Sequence, residues 1–118
     1  MQINNQLLGG PFDVVQGDTV LFYLTAVDGD GNPVDITAAT FTTNIKGPNG
    51  SIESFPTGQH AVVDGPSGTF TLALSSDDSL SLGLGEHKEI VTQMLISTST
   101  YYFRGINLLS VYDADPAQ

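Results

Sequence analysis

The chain has 118 residues and a mass of 12.4 kDa, which is the size of one domain. It contains no cysteine, and this excludes disulfide bonds, thiolate metal sites and cysteine nucleophiles. Thirteen acidic residues against three basic ones give a net charge of −10, so the chain repels nucleic-acid phosphates and anionic membranes instead of binding them.

The N-terminal segment lacks the features of a secretory leader. The stretch MQINNQLLGG (1–10) contains no basic region and no apolar core. The apolar runs of the whole chain are far shorter than the ~20 residues that span a bilayer. We therefore expect synthesis in the cytoplasm without a signal peptide.

The first strong strand signal is the run TVLFYLTAV at residues 19–27. It is rich in β-branched and aromatic residues, and its alternation places Phe22 and Leu24 on a core face and Tyr23 on the opposite face. The stretch DGDGNP (28–33) predicts a turn, because glycine permits positive φ while Asp and Asn bind their own turn backbone.

Further short strands follow at regular intervals. Residues 39–45 and 51–55 flank KGPNG and predict a hairpin. Residues 59–63 predict one more strand, and the run TFTLAL at 69–74 alternates clearly, with Phe70 on its apolar face.

The stretch SSDDSLSLGLG (75–85) interrupts the strands. Ser76 followed by Asp77 and Asp78 is typical of a helix N-terminus, so it predicts one helical turn. Residues 86–97 then return to strand. Residues 101–103, or a continuous run to Tyr112, form the last strand or hairpin, with Gly105 as a bulge or a close approach of the backbone.

This pattern predicts an all-β domain. Turn signals every 8 to 12 residues favour an antiparallel, immunoglobulin-like β-sandwich of about seven strands, with one short helical turn near 76–81. An up-and-down barrel or a jelly roll is the alternative. The predicted divisions are an N-terminal arm (1–11), the sandwich (12–112) and a C-terminal tail (113–118).

The loop 28–35 offers a weak calcium site. Asp28 and Asp30 stand at alternate positions, as in an EF-hand loop, and Asp35 follows. The position that should hold a glycine is Pro33, however, and the position that should hold a bidentate glutamate is Ala39. A plain β-turn is therefore the favoured interpretation, and we predict no cofactor and no metal.

No motif supports an enzyme. His60 and His87 are the only imidazoles, they lack metal-ligand spacing, and solvated strand faces are their simplest interpretation. No serine stands in a nucleophile motif, and the glycines at 83 and 85 have no phosphate-loop lysine after them.

The cluster YYFR (101–104) is a candidate contact surface. Tyr and Arg are enriched at interface hot spots, and alternation places Tyr102 and Arg104 on one face. The alternative is that Phe103 belongs to the core and Tyr102 is an ordinary surface residue. In the arm, Ile3, Leu7, Leu8 and Phe12 could contact a partner by adding a strand to its sheet edge.

Residues 17–50 resemble the opening of the immunoglobulin-like module at the N-terminus of tailed-phage baseplate upper proteins, and related modules of other phage structural proteins. The resembling pattern is a strand that starts Gly17-Asp18-Thr19, a turn, and a strand that ends near Lys46. The turn has the form D-x-x-G-x-P-x-D-[LI]-T, from Asp28 to Thr37. Residues 64–93 are similar to the second half of that module, although His87 stands where an aromatic residue is usual.

The resemblance implies a virion building block without enzymatic activity. It favours a tail, baseplate or fibre-attachment module that docks onto other virion proteins or copies of itself, as a homo-oligomer or bound to a lattice. A capsid decoration protein on the outer head surface is the alternative, since the chain is short and acidic. A calcium- or carbohydrate-binding adhesion module is a further alternative, although tryptophan, the usual sugar-stacking residue, is absent.

Overall fold

A computed structural model describes residues 5–47, 52–82 and 84–112, without the side chains of residues 86–88 and 107. The strands are β1 (Gln6–Leu8), β2 (Phe12–Val15), β3 (Val20–Val27), β4 (Thr40–Lys46), β5 (Ile52–Phe55), β6 (His60–Asp64), β7 (Thr69–Leu74), β8 (Gly85–Ile96) and β9 (Ser99–Tyr112). A 3-10 turn (Thr57–Gln59) and one α-helix, α1 (Ser76–Ser81), complete the described elements. The predicted all-β class and the predicted helical turn are confirmed.

The strands form one mixed, curled sheet in the order β5-β4-β8-β9-β1-β3-β7-β6, with β2 paired to β9 outside this path. The expected hairpin is present, since β4 and β5 pair from Thr43 opposite Phe55 to Lys46 opposite Ile52. Neither described helix is long and apolar enough to cross a membrane.

Two pairings overturn the prediction of a purely antiparallel arrangement. Both β1 and β2 run parallel to β9, where Gln6 lies opposite Arg104 and Phe12 lies opposite Leu109. The chain keeps its direction through Gly9 and Gly10, so its second strand continues alongside β9. These two short strands also raise the count above the expected seven.

The described part of the predicted arm belongs to the sheet, which corrects its assignment as a separate segment. Strand β1 lies between β3 and β9, and Leu7, opposite Ala26, is only 3% exposed. A single apolar side chain on the inner face fastens the strand to the core. Ile3 and the predicted tail (113–118) lie outside the described residues.

The sheet curls until its two halves share one core. Phe41 of β4 stacks on Phe70 of β7 with ring centroids 5.0 Å apart, although four strands separate β4 and β7 in the sheet order. The connection from β5 to β6 crosses between the halves. Its Thr57 hydroxyl accepts a hydrogen bond from the Phe41 amide (3.0 Å) and donates one to the Phe41 carbonyl (2.7 Å). Gly105 pairs regularly with Ile90 of β8, so the expected bulge is not at this position. A Cβ on Gly105 would collide with the Leu108 side chain, so its close neighbour is a side chain and not another backbone segment.

Candidate docking surface

The outer side of β1, β3 and β7 presents a face without a charged side chain. Alternation turns Phe22 and Leu24 into the core and leaves Leu21 and Tyr23 outside, where they are 50% and 57% exposed. We call this the uncharged face, and its residues are Gln6, Leu8, Leu21, Tyr23, Thr25, Thr69, Thr71 and Ala73.

The three threonine hydroxyls of this face lie within hydrogen-bond distance of groups in the same sheet. The hydroxyls of Thr25 and Thr69, which stand opposite each other on β3 and β7, are 3.5 Å apart. The hydroxyl of Thr71 donates to the Ala61 carbonyl over 3.4 Å. With its threonines partly engaged and its apolar side chains in water, the face has the composition of the central part of a protein interface.

A second group of exposed side chains lies on β9, next to β1. Tyr102 and Ile106 are 60% and 53% exposed, and the Arg104 guanidinium lies between them along the strand. The Nε of Arg104 is 2.7 Å from Oε2 of Glu89 on β8. Because most of the Arg104 side chain is in water, this ion pair orients the guanidinium more than it stabilises the fold.

The predicted contact residues separate into two groups. Leu8, Tyr102 and Arg104 are exposed on the neighbouring strands β1 and β9. Leu7 is a core residue, and the Phe12 ring packs on Phe22 with centroids 4.6 Å apart. Leu7 and Phe12 therefore stabilise the chain's own fold, which corrects their assignment as surface contacts.

The carboxylates of loop 28–35 bind the loop itself. Oδ1 of Asp28 accepts hydrogen bonds from the backbone amides of Asp30 (2.9 Å) and Asn32 (3.0 Å). Two hydrogen bonds from Thr37, the stronger from its hydroxyl and the other from its amide, hold the pKa of Asp35 below its ordinary value. Among the described residues, no group of three or more His, Cys, Asp or Glu could hold a metal ion, so Asp28, Asp30 and Asp35 are not brought together.

His60 occupies an environment that the sequence did not indicate. Its Nε2 lies 2.7 Å from Oγ1 of Thr43, which lies 2.8 Å from Oγ1 of Thr92, and both threonines are fully buried. Its Nδ1 lies 2.8 Å from the Pro56 carbonyl, and its ring stacks on Phe41. The expected solvated strand face is therefore wrong for His60, while the side chain of His87 lies outside the described residues.

The direction of each hydrogen bond follows from the chemistry of its partners. A carbonyl only accepts, so Nδ1 of His60 carries the proton and donates to Pro56. In the neutral ring Nε2 then accepts from the Thr43 hydroxyl, which in turn accepts from Thr92. Burial lowers the pKa of His60, although the backbone hydrogen bonds at Pro56 and Thr57 oppose this shift.

The alternation of inward and outward residues along β4 and β8 already contained a signal for the buried hydrogen bonds that join His60, Thr43 and Thr92. Thr43 stands in phase with the core residues Phe41 and Ile45, and Thr92 stands in phase with Ile90 and Met94. A threonine in a core phase needs a buried partner for its hydroxyl. The strand pattern does not show which partner the fold brings, because His60 is remote from both threonines in the sequence.

The comparisons with known proteins add no family. No family model matches the chain, and no curated protein matches it significantly.

Proposed function

We propose that the chain is a non-enzymatic virion structural protein of a tailed phage, an immunoglobulin-like β-sandwich that acts by docking onto other proteins. The strand order supports the sandwich. The groups β1-β3-β7-β6 and β5-β4-β8-β9 match the strand orders expected for the two sheets of an immunoglobulin domain. Within the part of the chain that the structure describes, the pair Gln6–Arg104 joins them.

The main support for a docking function is the uncharged face. In a chain of net charge −10, the outward side chains of β1, β3 and β7 include no carboxylate, and Asp64 of β6, opposite Thr69, lies at the margin of this face. A partner that docks on these three strands therefore meets little electrostatic repulsion. Exposed Leu21 and Tyr23 supply the apolar and aromatic area that anchors protein interfaces.

The virion assignment depends on the resemblance of residues 17–50 and 64–93 to phage structural modules. The turn of that pattern is well formed, since Asp28 caps it and Gly31 adopts a φ of +85°. Among virion positions we propose the tail, baseplate or fibre attachment, because the resembling modules occur there.

Mass spectrometry of purified phage particles from the strain that encodes the chain tests this function. We expect its peptides in the particles, at a copy number far below that of the major capsid protein. A copy number comparable with the major capsid protein would instead support decoration of the head. Absence of the peptides from intact particles would contradict the proposal.

A pair of variants tests the face. Leu21→Glu places a charge in the uncharged face, whereas Leu95→Glu places one at a similarly exposed position on β8. When each variant is expressed during infection, we expect Leu21→Glu to be depleted from particles and Leu95→Glu to be incorporated normally. Equal incorporation of the two variants would show that the uncharged face takes no part in docking.

A further inference from the structure

Strand β1 is attached to its own domain by few interactions. It has three residues, which pair with β3 from Gln6 opposite Val27 to Leu8 opposite Thr25. On its other side it meets β9 at Arg104, whose amide donates to the Asn5 carbonyl over 3.2 Å. Leu7 is the one buried side chain of the strand. The strand therefore occupies a slot between β3 and β9, with Leu7 as its single side chain in the core.

The connection between β1 and β2 contains two glycines in conformations that side chains rarely adopt. Gly9 and Gly10 have φ values of +149° and +66°, and a Cβ on Gly9 would lie 2.6 Å from the Tyr23 carbonyl. This linker has no side chain that anchors it to the core. A rotation in the linker therefore breaks no side-chain contact of Gly9 or Gly10, and withdrawing Leu7 from the core is the main side-chain cost of redirecting β1.

Charge also favours transfer of this segment to another copy. Residues 1–12 carry no charged side chain, although the chain has thirteen acidic residues in all. The slot is lined by Thr25, Ala26 and Val27 of β3, which are uncharged, and by Arg104, which is one of the three basic residues. A second copy can thus present its N-terminal strand here without bringing a carboxylate close.

We propose that β1 exchanges between two copies of this chain, so that residues 5–8 of each copy occupy the slot between β3 and β9 of the other. The exchange re-forms every contact that β1 makes in the single chain, and the reciprocal arrangement closes as a two-fold dimer. The occupant is a second copy because the slot is already fitted to this sequence, with Leu7 in the core opposite Ala26. This inference deepens the proposed docking function by naming one partner and the segment that binds it.

Disulfide trapping distinguishes exchange from any other association, and the chain offers a background without cysteine. Leu8 and Thr25 are direct neighbours across β1 and β3, at a separation that a disulfide can bridge. In the exchanged dimer the double variant Leu8→Cys/Thr25→Cys joins two chains, whereas in the single chain it closes a loop. Concentrated protein is incubated under reducing conditions, oxidised, and resolved on a non-reducing gel.

The matched control is Leu21→Cys/Ala73→Cys, a pair across β3 and β7 that exchange of β1 leaves within one chain. We expect covalent dimers from the first pair, increasing with protein concentration, and only monomers from the control. Monomers from both pairs at every concentration would overturn the exchange, even if light scattering showed a dimer. Covalent dimers from both pairs would overturn it as well, because they would reflect random collision. The result does not depend on whether the chain is found in particles, so this inference and the proposed function fail separately.

Discussion

Nε2 of His60 lies 2.7 Å from Oγ1 of Thr43, and this contact joins strands from the two halves of the sheet. Thr43 continues the chain of hydrogen bonds to Thr92 on β8, and His60 Nδ1 binds the Pro56 carbonyl in the crossing segment. The curled sheet is therefore closed by a hydrogen-bonded chain as well as by apolar packing, and the stacked Phe41 and His60 rings cover it.

Stability should depend on pH through His60. Burial lowers its folded-state pKa below the ordinary 6.5, so the unfolded chain binds more protons in the window between the two values. The stabilisation is fully present above 6.5 and is lost as the pH falls through the folded-state pKa. We expect the free energy of unfolding, measured by urea denaturation, to decrease as the pH falls below 6.5.

One variant separates this effect from the titration of other groups. His60→Gln removes the buried imidazole, and its stability should vary less with pH in the window below 6.5. If His60→Gln kept the full dependence, another group would be its source.

Thr43→Val should be destabilising although it preserves the shape of the side chain. The variant leaves Nε2 of His60 and the buried Thr92 hydroxyl without their shared partner, which costs about 1–3 kcal/mol. Thr42→Val changes the neighbouring, exposed threonine of the same strand and should stay within about 0.5 kcal/mol of wild type. Urea denaturation compares the free energies of unfolding of the two variants. Equal values would mean that the buried hydrogen bonds of Thr43 add nothing to stability.

The sequence predicted those parts of the fold that depend on local alternation. The inward phase of Phe22 and Leu24, the hairpin 39–55 and the turn at 28–33 all follow from periodicity and turn chemistry within short windows. The helical turn was also predicted, because its acidic first turn follows a serine cap. The cap is Ser75, one residue before the predicted position.

What the sequence did not predict depends on contacts between distant segments. Strand β1 is too short to show alternation, and only its place between β3 and β9 reveals that Leu7 is a core residue. His60 stands in a short edge strand whose remaining residues are exposed, so its pattern predicts a solvated face. For the candidate surface, the sequence assigned Tyr102 and Arg104 to one face of their strand. It did not predict that β1 lies beside that strand.

Ser79→Ala should loosen the attachment of α1. The buried Ser79 hydroxyl accepts the Gly17 amide and donates to the Asp18 carbonyl, both over 2.8 Å, so it links the helix to the turn before β3. Without it the Gly17 amide loses its partner, at a cost of about 1–3 kcal/mol. Ser81→Ala, at an exposed position of the same helix, is the control, and thermal denaturation of both variants measures the difference.

Calcium should not stabilise the chain. The Asp28 carboxylate is engaged by the Asp30 and Asn32 amides, and the described residues offer no group of acidic side chains around it. A site that bound calcium in the folded state alone would raise the melting temperature by mass action. We expect equal melting temperatures in EDTA and in calcium at about 5 mM, which exceeds the dissociation constants of weak extracellular sites. A rise that Asp28→Asn abolished would establish a calcium site in this loop.

Gly68→Ala should be more destabilising than Gly31→Ala, although both glycines have positive φ, of +75° and +85°. A Cβ on Gly68 would lie 2.6 Å from the Ala26 carbonyl oxygen and 2.9 Å from that of Val34, whereas a Cβ on Gly31 meets no atom within 4 Å. Gly31→Ala should therefore cost only the ~1–2 kcal/mol of the left-handed conformation itself. Gly68→Ala adds a collision with backbone at the point where the Ala26 amide donates to the Gly68 carbonyl over 2.9 Å. Urea denaturation of the two variants checks the order, and equal costs would show that the backbone around Gly68 yields freely.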